Sequence, residues 1–124
     1  MTEHLATGRI LIVEDDDDVR EALAAVLETH GYSTVTAEDG RQAMEHLRSA
    51  GGFCLILLDL FMPVMNGWAF RREQMQDPEL ANIPVLVISA DSAAAKRAVT
   101  PGVVAAMTKP VEFDRLLQIV GQHC

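Results

Sequence analysis

The sequence has few cysteines, few aromatic residues and no long hydrophobic run. Two of its 124 residues are cysteines, and aromatic residues make up 5%. The spacing of Cys54 and Cys124 matches neither a zinc site nor a disulfide framework, so a reducing compartment is expected. No uncharged stretch approaches the ~20 residues of a membrane-spanning helix, and residues 1–8 lack the features of a signal peptide. We therefore expect a cytoplasmic protein with no membrane contact and an aliphatic core.

Positive charge is also scarce. Eighteen acidic residues against ten Lys and Arg give a formal net charge of -8. Such a surface repels nucleic acid, so direct nucleic-acid binding is not expected, although the charge can serve solubility as well as partner choice. Hydrophobic residues at 49% and charged residues at 23% are typical of a folded globular chain. The length predicts a single domain over residues 1–124.

Short apolar segments alternate with helical patterns along the chain. Strands are predicted at 9–13, 32–37, 53–58, 84–88 and 103–107, and helices at 19–30, 39–50, from 66, at 92–99 and at 111–122. The last helix carries Phe113, Leu116, Leu117 and Val120 on one face. This alternation predicts an α/β protein with a doubly wound parallel sheet and right-handed crossovers. In such folds functional groups gather at the carboxyl ends of the strands.

Polar residues stand where the predicted strands end. An acidic run, 14–18, follows the first strand, Asp59 follows the third, Ser89 follows the fourth and Lys109 follows the fifth. Clustered carboxylates resist ionising together unless a cation neutralises them. Oxygen ligands suit Mg²⁺, and the absence of His and Cys from these strand ends argues against Zn²⁺. The sequence therefore predicts a magnesium site.

An aspartate at such a site can act as a nucleophile and form an aspartyl-phosphate. Lys109 would supply a positive charge, and Ser89 a hydrogen bond to a phosphoryl oxygen. Each residue also has a structural explanation, because acids favour a helix N-terminus, lysines favour the surface and serines favour turns. Asp59 is the hardest to explain in that way, because it follows six apolar residues and buried acids are rarely left unpaired.

Four motifs occur in order at these strand ends. They are ILIVEDD at 10–16, LLDLFMP at 57–63 with NG at 66–67, VISA at 87–90, and TKP at 108–110. With them the sequence resembles the receiver domain of bacterial two-component response regulators, over about residues 9–120. The resemblance implies a flavodoxin-like (βα)5 fold with strand order 2-1-3-4-5.

The resemblance also implies roles for individual residues. Asp59 would be the phosphoryl acceptor, and Asp15 a direct Mg²⁺ ligand. Glu14 would act on the metal through water, and the backbone carbonyl of Phe61 would be a further ligand. Asp17 and Asp18 are expected in the first helical turn rather than on the metal.

On the phosphoryl side, the resemblance implies that Ser89 moves toward the phosphoryl group and that Lys109 pairs with it. The Lys109–Pro110 bond is commonly cis in this family. The donor would be a histidine kinase or a histidine phosphotransfer protein, and the catalytic activity would be limited to self-phosphorylation and slow autodephosphorylation. The output would be a shift in conformational population that favours binding of a downstream partner.

Two departures from the family pattern bear on this reading. Glu14 replaces the commoner Asp, and Ala106 stands where the family usually has Tyr or Phe, so the usual aromatic switch is missing. We predict that the signal instead displaces the backbone of the fourth helix, and that the face of helix 4, strand 5 and helix 5 meets the partner.

The alternatives are a degenerate receiver that serves only for docking and a receiver fragment of a larger regulator. A flavin or nucleotide module would need a glycine-rich cradle where the acids stand. An aspartate-dependent phosphatase would usually have a second Asp where Phe61 stands.

Overall fold

The computed structural model describes residues 8–124, in which five strands alternate with five helices. They are β1 (Arg9–Val13), α1 (Asp17–Thr29), β2 (Ser33–Ala37), α2 (Gly40–Ser49), β3 (Phe53–Asp59), α3 (Gly67–Gln76), β4 (Val85–Ser89), α4 (Ser92–Arg97), β5 (Val103–Thr108) and α5 (Phe113–His123). The predicted order of elements is confirmed. The expectation about a signal peptide in residues 1–8 concerns residues that, except for Gly8, lie outside the described part of the chain.

All neighbouring strands pair in parallel, in the order β2-β1-β3-β4-β5. The predicted strand order is therefore confirmed. β3, the most apolar strand, lies at the centre, and its last five residues are buried. Parallel sheets covered on both faces are built from such continuous apolar strands.

The strands alternate their side chains between two hydrophobic clusters. On one face Leu11, Val13, Ile56 and Leu58 pack with residues of α2, α3 and α4. On the other face Ile10, Ile12, Leu55 and Leu57 pack with residues of α1 and α5. This alternation follows from the twofold period of a strand. Because all neighbouring strands are parallel, their carboxyl ends, where the polar residues lie, share one edge of the sheet.

Four helices begin with a side-chain cap at that same edge. The carboxylates of Asp16, Asp39 and Asp91 and the amide oxygen of Asn66 accept hydrogen bonds from backbone N–H groups of the first turn. Such caps satisfy donors that a helix cannot pair internally. They explain why α1 begins earlier than its apolar stripe alone predicts.

Cys54 of β3 and Cys124 are joined by a disulfide, with their Cα atoms 5.5 Å apart. The expectation that the two cysteines form no disulfide is therefore wrong. They are 70 residues apart in sequence, and they meet because α5 packs beside β3 and both cysteines lie against the same hydrophobic cluster.

One helix face also differs from the prediction. In α5, Leu116 and Val120 are buried and Leu117 is partly buried, but Phe113 is 38% exposed. Phe113 is the first residue of α5 and lines an open cavity of about 300 Å³ beside α1, so the sheet does not cover it. Across residues 8–124 no helix combines the length and apolar character needed to cross a membrane.

Candidate functional site

The carboxyl ends of four strands bring the predicted site residues to one place. Asp59 is the last residue of β3 and Ser89 is the last residue of β4. Glu14 follows β1 directly, and Lys109 follows β5 directly. Because β1, β3, β4 and β5 are consecutive neighbours in the sheet, these side chains share one edge.

Three carboxylates form the acidic part of the site. Oxygen atoms of Glu14, Asp15 and Asp59 lie within 4.8 Å of one another. Glu14 and Asp59 are buried, at 1% and 4% exposure, while Asp15 is exposed. An all-oxygen set that is open to solvent on one side suits a hard cation that keeps part of its water shell, as Mg²⁺ does. The donor set therefore fits the predicted metal.

Lys109 contacts the buried part of this cluster. Its Nζ lies 2.8 Å from Oε1 of Glu14 and 3.6 Å from Oδ2 of Asp59. Its backbone N–H donates to the carbonyl of Ser89 at 2.9 Å, which connects the ends of β4 and β5. The Lys109–Pro110 bond is cis, as the resemblance implies. The site therefore combines one ammonium group with two buried carboxylates.

Burial and the neighbouring charges shift the pKa of Asp59. The pKa of Asp59 is raised from 3.8 to about 7, first by burial and then by the charge of Glu14, whereas the charge of Lys109 opposes the increase. Burial acts to lower the pKa of Lys109, but its hydrogen bond with Glu14 and the surrounding carboxylates produce a net increase. Such perturbed groups are common at functional sites. A cation at the cluster would favour the ionised form of Asp59.

Backbone and side-chain donors hold Glu14 in place. The N–H of Asp16 donates to Oε2 of Glu14 at 3.1 Å, and the guanidinium of Arg20 donates to the Glu14 carbonyl at 2.9 Å. Arg20 also forms an ion pair with Asp17. Sequence reasoning missed Arg20, although the Asp17–Arg20 spacing of three on a helix was a signal for it.

The acidic run divides between the site and the helix. Asp16 caps α1, and Asp17 and Asp18 lie in its first turn, as expected. There they lie close to the positive end of the helix dipole. Only Glu14 and Asp15 of this run belong to the three-carboxylate cluster.

Ser89 is fully buried and linked to the start of α4. Its Oγ accepts a hydrogen bond from the N–H of Asp91 at 3.1 Å. The carboxylate of Asp91 in turn accepts from the N–H groups of Ala93 and Ala94. In this pairing Ser89 is an acceptor, so its own O–H can still donate to another oxygen.

The β3–α3 loop packs tightly behind Asp59. A Cβ atom added at Gly67 would lie 2.7 Å from the Asp59 carbonyl oxygen and 2.8 Å from Cα of Leu60. Val64 has a φ of 69° and is 80% exposed, which is a strained conformation for a β-branched residue. Apart from the Asn66-Gly67 pair, no feature of the sequence indicates these two constraints.

Phe61 lies in the same loop and is 51% exposed. Its ring contacts that of Trp68 edge-on, with centroids 5.3 Å apart. The role of its backbone carbonyl as a metal ligand stays a prediction. Ala106, in β5, is partly buried and packs against the hydrophobic cluster on the α2–α3–α4 side of the sheet.

Comparisons with known proteins agree with this geometry. The sequence model of the response regulator receiver domain matches residues 10–121. Protein PilH of Pseudomonas aeruginosa is 32% identical over 118 residues, covering 91% of this chain and 94% of PilH. The sensor kinase/phosphatase CqsS of Vibrio cholerae is 34% identical over 115 residues, or 90% of this chain. The chain spans only 17% of the length of CqsS.

Solved structures show the same fold. A response regulator receiver protein from Pseudomonas putida has a TM-score of 0.86 and 28% identity. The match covers 96% of this chain and 99% of that one. The response regulator TrrA from Thermotoga maritima, solved with Mg²⁺ and BeF, has a TM-score of 0.82 and 27% identity, covering 94% and 99%. The chain belongs to the response regulator receiver domain family.

Proposed function

We propose that this chain is a switch in which Asp59 accepts a phosphoryl group in an Mg²⁺-dependent reaction. The donor is a histidine kinase or a histidine phosphotransfer protein. The observation that carries the proposal is the contact of Lys109 with both Glu14 and Asp59, next to the exposed carboxylate of Asp15. A buried acid, a cation-binding cluster and an ammonium group are what phosphoryl transfer to a carboxylate requires.

The carboxylates of Glu14, Asp15 and Asp59 would hold the metal, together with the backbone carbonyl of Phe61. When bound, Mg²⁺ supplies positive charge that offsets repulsion between the Asp59 carboxylate and the incoming phosphoryl group. The donor set of Glu14, Asp15 and Asp59 supports this assignment, because all its side-chain ligands are oxygen atoms.

In the transfer step, a carboxylate oxygen of Asp59 attacks the phosphorus of the donor's phosphohistidine. The new O–P bond forms as the P–N bond breaks, and the imidazole nitrogen keeps the electron pair. Lys109 then pairs with a phosphoryl oxygen, and Ser89 donates its O–H to another. Catalysis is limited to this self-phosphorylation and to slow hydrolysis of the product.

The hydrogen bonds around Ser89 suggest how the switch reaches the surface. Movement of the Ser89 hydroxyl toward a phosphoryl group would break its bond with the N–H of Asp91, the residue that caps α4. Because α4 has only six residues, a change at its cap would displace most of the helix. We infer that the partner meets the face of α4, β5 and α5, without an aromatic switch at Ala106.

Amide hydrogen exchange tests this route. Adding beryllofluoride and Mg²⁺ should change protection over residues 90–99. Changes confined to the neighbours of Asp59 would favour the alternative, a receiver that serves only for docking, which the presence of Ala106 keeps open.

The proposal also includes the location of the chain in the cell and its domain organisation. We place the chain in the cytoplasm because the phosphodonors of this family act there; the Cys54–Cys124 disulfide removes the argument from cysteine spacing for a reducing compartment. We treat residues 1–124 as one receiver domain, either on its own or within a larger regulator. The proposal includes no direct contact with nucleic acid or membrane.

Mass spectrometry tests the acceptor directly. Incubation with acetyl phosphate and Mg²⁺ should add one phosphoryl group that hydroxylamine removes. Asp59→Asn should abolish labelling, and removal of Mg²⁺ by EDTA should suppress it. Asp18→Asn is the matched control, because Asp18 lies in the first turn of α1 outside the three-carboxylate cluster and should label normally. Equal labelling of Asp59→Asn and wild type would refute the assignment.

A further inference from the structure

An open groove lies between α3 and α4, on the face of the sheet opposite α1 and α5. It has a volume of about 380 Å³. Its apolar floor is formed by Leu60, Trp68, Met75 and Ala98. Met75 is 48% exposed, so part of this apolar side chain is open to solvent. We refer to this surface as the α3–α4 groove.

The rim of the α3–α4 groove is basic. Arg71, Arg72 and Arg97 line it, and Lys96 precedes Arg97 on α4. The whole chain has only ten Lys and Arg residues and a net charge of -8, so this is a local reversal of sign. Clustered charge of one sign on an oppositely charged protein produces a local field that selects partners.

Within the described part of the chain, these arginines do not pair with acidic side chains. Within residues 8–124, none of the ion pairs involves Arg71, Arg72 or Arg97. Glu73, next to Arg72 in sequence, pairs instead with Arg48 of α2 at 3.5 Å. The positive charge at the groove is therefore available to an external anion.

Arg71 is held in a defined position. Its guanidinium donates to Oε1 of Gln74 at 2.7 Å and to the carbonyl of Pro101 at 2.9 Å. Arg72 and Arg97 are exposed. A fixed arginine beside two exposed ones, next to tryptophan and methionine, has the composition of the central part of a protein interface.

We propose that the α3–α4 groove binds an acidic amphipathic segment of a partner protein, with apolar side chains on the floor and carboxylates on Arg71, Arg72 and Arg97. Carboxylates match the planar guanidinium group in geometry as well as charge. The apolar floor favours a protein segment over nucleic acid, and the net charge of -8 opposes a long polyanion or an anionic membrane. The groove differs from the α4–β5–α5 face, and it adjoins the loop after Asp59 through the Phe61–Trp68 contact.

Trp68 is the only tryptophan of the chain, so its fluorescence reports on the floor of the groove. The probe is a synthetic helical peptide with leucine on one face and glutamate on the other. A second peptide with lysine in place of glutamate keeps the apolar face. The unphosphorylated protein should bind the acidic peptide with a change in Trp68 emission, and binding should weaken as salt is raised.

Two double variants locate the site. Arg72→Glu with Arg97→Glu should weaken binding of the acidic peptide at least ~tenfold, as loss of interfacial charge pairs does. Arg41→Glu with Arg115→Glu makes the same change in net charge at exposed positions of α2 and α5, and should leave affinity within about twofold. The neutral pair Arg72→Gln with Arg97→Gln should give an intermediate effect. Urea unfolding of each variant checks that the fold is retained.

Several outcomes would overturn the proposal. They are failure of the acidic peptide to bind, equal binding of the lysine peptide, and equal weakening by the two charge-reversal pairs. Tighter binding of a single-stranded oligonucleotide or of anionic phospholipid vesicles through the same arginines would identify a different class of partner. Because phosphodonor and Mg²⁺ are absent from these measurements, the result does not depend on whether Asp59 is the acceptor.

Discussion

Replacing Asp59 by asparagine should stabilise the metal-free protein at neutral and alkaline pH, although it removes a proposed functional group. In the folded state the pKa of Asp59 is raised from 3.8 to about 7, first by burial and then by the charge of Glu14. Between these two values the folded state holds a proton that the unfolded state has released. The free energy of unfolding of the wild type therefore falls as pH rises through this range. Asparagine has the same shape and does not titrate.

The size of the effect follows from the two pKa values. The interval from 3.8 to about 7 corresponds to about 4 kcal/mol at 1.36 kcal/mol per pKa unit. This is an upper limit, because the structure around Asp59 relaxes when the carboxyl group ionises. We expect Asp59→Asn to raise the free energy of unfolding by about 2–3 kcal/mol at pH 8 and by much less near pH 4.

Urea unfolding in EDTA, followed by circular dichroism from pH 4 to pH 8.5, measures this difference. The difference in free energy of unfolding between variant and wild type should increase up to about pH 7 and stay constant above it. Asp114→Asn, which removes an exposed acid from α5, is the control for the change in net charge. Adding Mg²⁺ should narrow the gap by stabilising the ionised wild type. A gap that does not vary with pH would refute the reasoning.

Three further changes test other parts of the structure by urea unfolding. Gly67→Ala should lower the free energy of unfolding by about 1–3 kcal/mol, because the new Cβ would lie 2.7 and 2.8 Å from backbone atoms. An increase, which is the usual effect of alanine in a helix, would contradict the close packing. Val64→Asn should stabilise by about 1 kcal/mol, because φ is 69° and Asn tolerates that region, whereas Val99→Asn, at a second exposed valine, should not. Reducing the Cys54–Cys124 disulfide should lower the free energy of unfolding by about 4 kcal/mol, as expected for a loop of 70 residues. An unchanged urea midpoint in dithiothreitol would show that the bond does not constrain the chain.

The order of elements could be predicted from the sequence because local patterns carry it. The apolar segments at 9–13 and 53–58 were recognisable as strands, and the alternation with helices predicted a parallel sheet. The ends of helices were less predictable. The caps at Asp16 and Asp91 use polar side chains that an apolar periodicity does not register.

The candidate site was predictable for a related reason. In a parallel sheet the carboxyl ends of neighbouring strands share one edge, so Glu14, Asp59, Ser89 and Lys109 could be placed together before any distance was known. Their individual roles stay predictions, because proximity does not identify the atom that reacts.

The two-faced core and the edge of the sheet at which the polar residues meet were predictable from the chain alone, because strand period and handed crossovers follow from local geometry. The strand order was predictable only through the family resemblance. The long-range pairs became known only from the folded structure. It joined Cys54 to Cys124 across 70 residues and left Phe113 outside the core. It also aligned Arg71 and Arg97 along one groove. Such contacts depend on how whole helices pack against the sheet, and no local pattern in the chain encodes that arrangement.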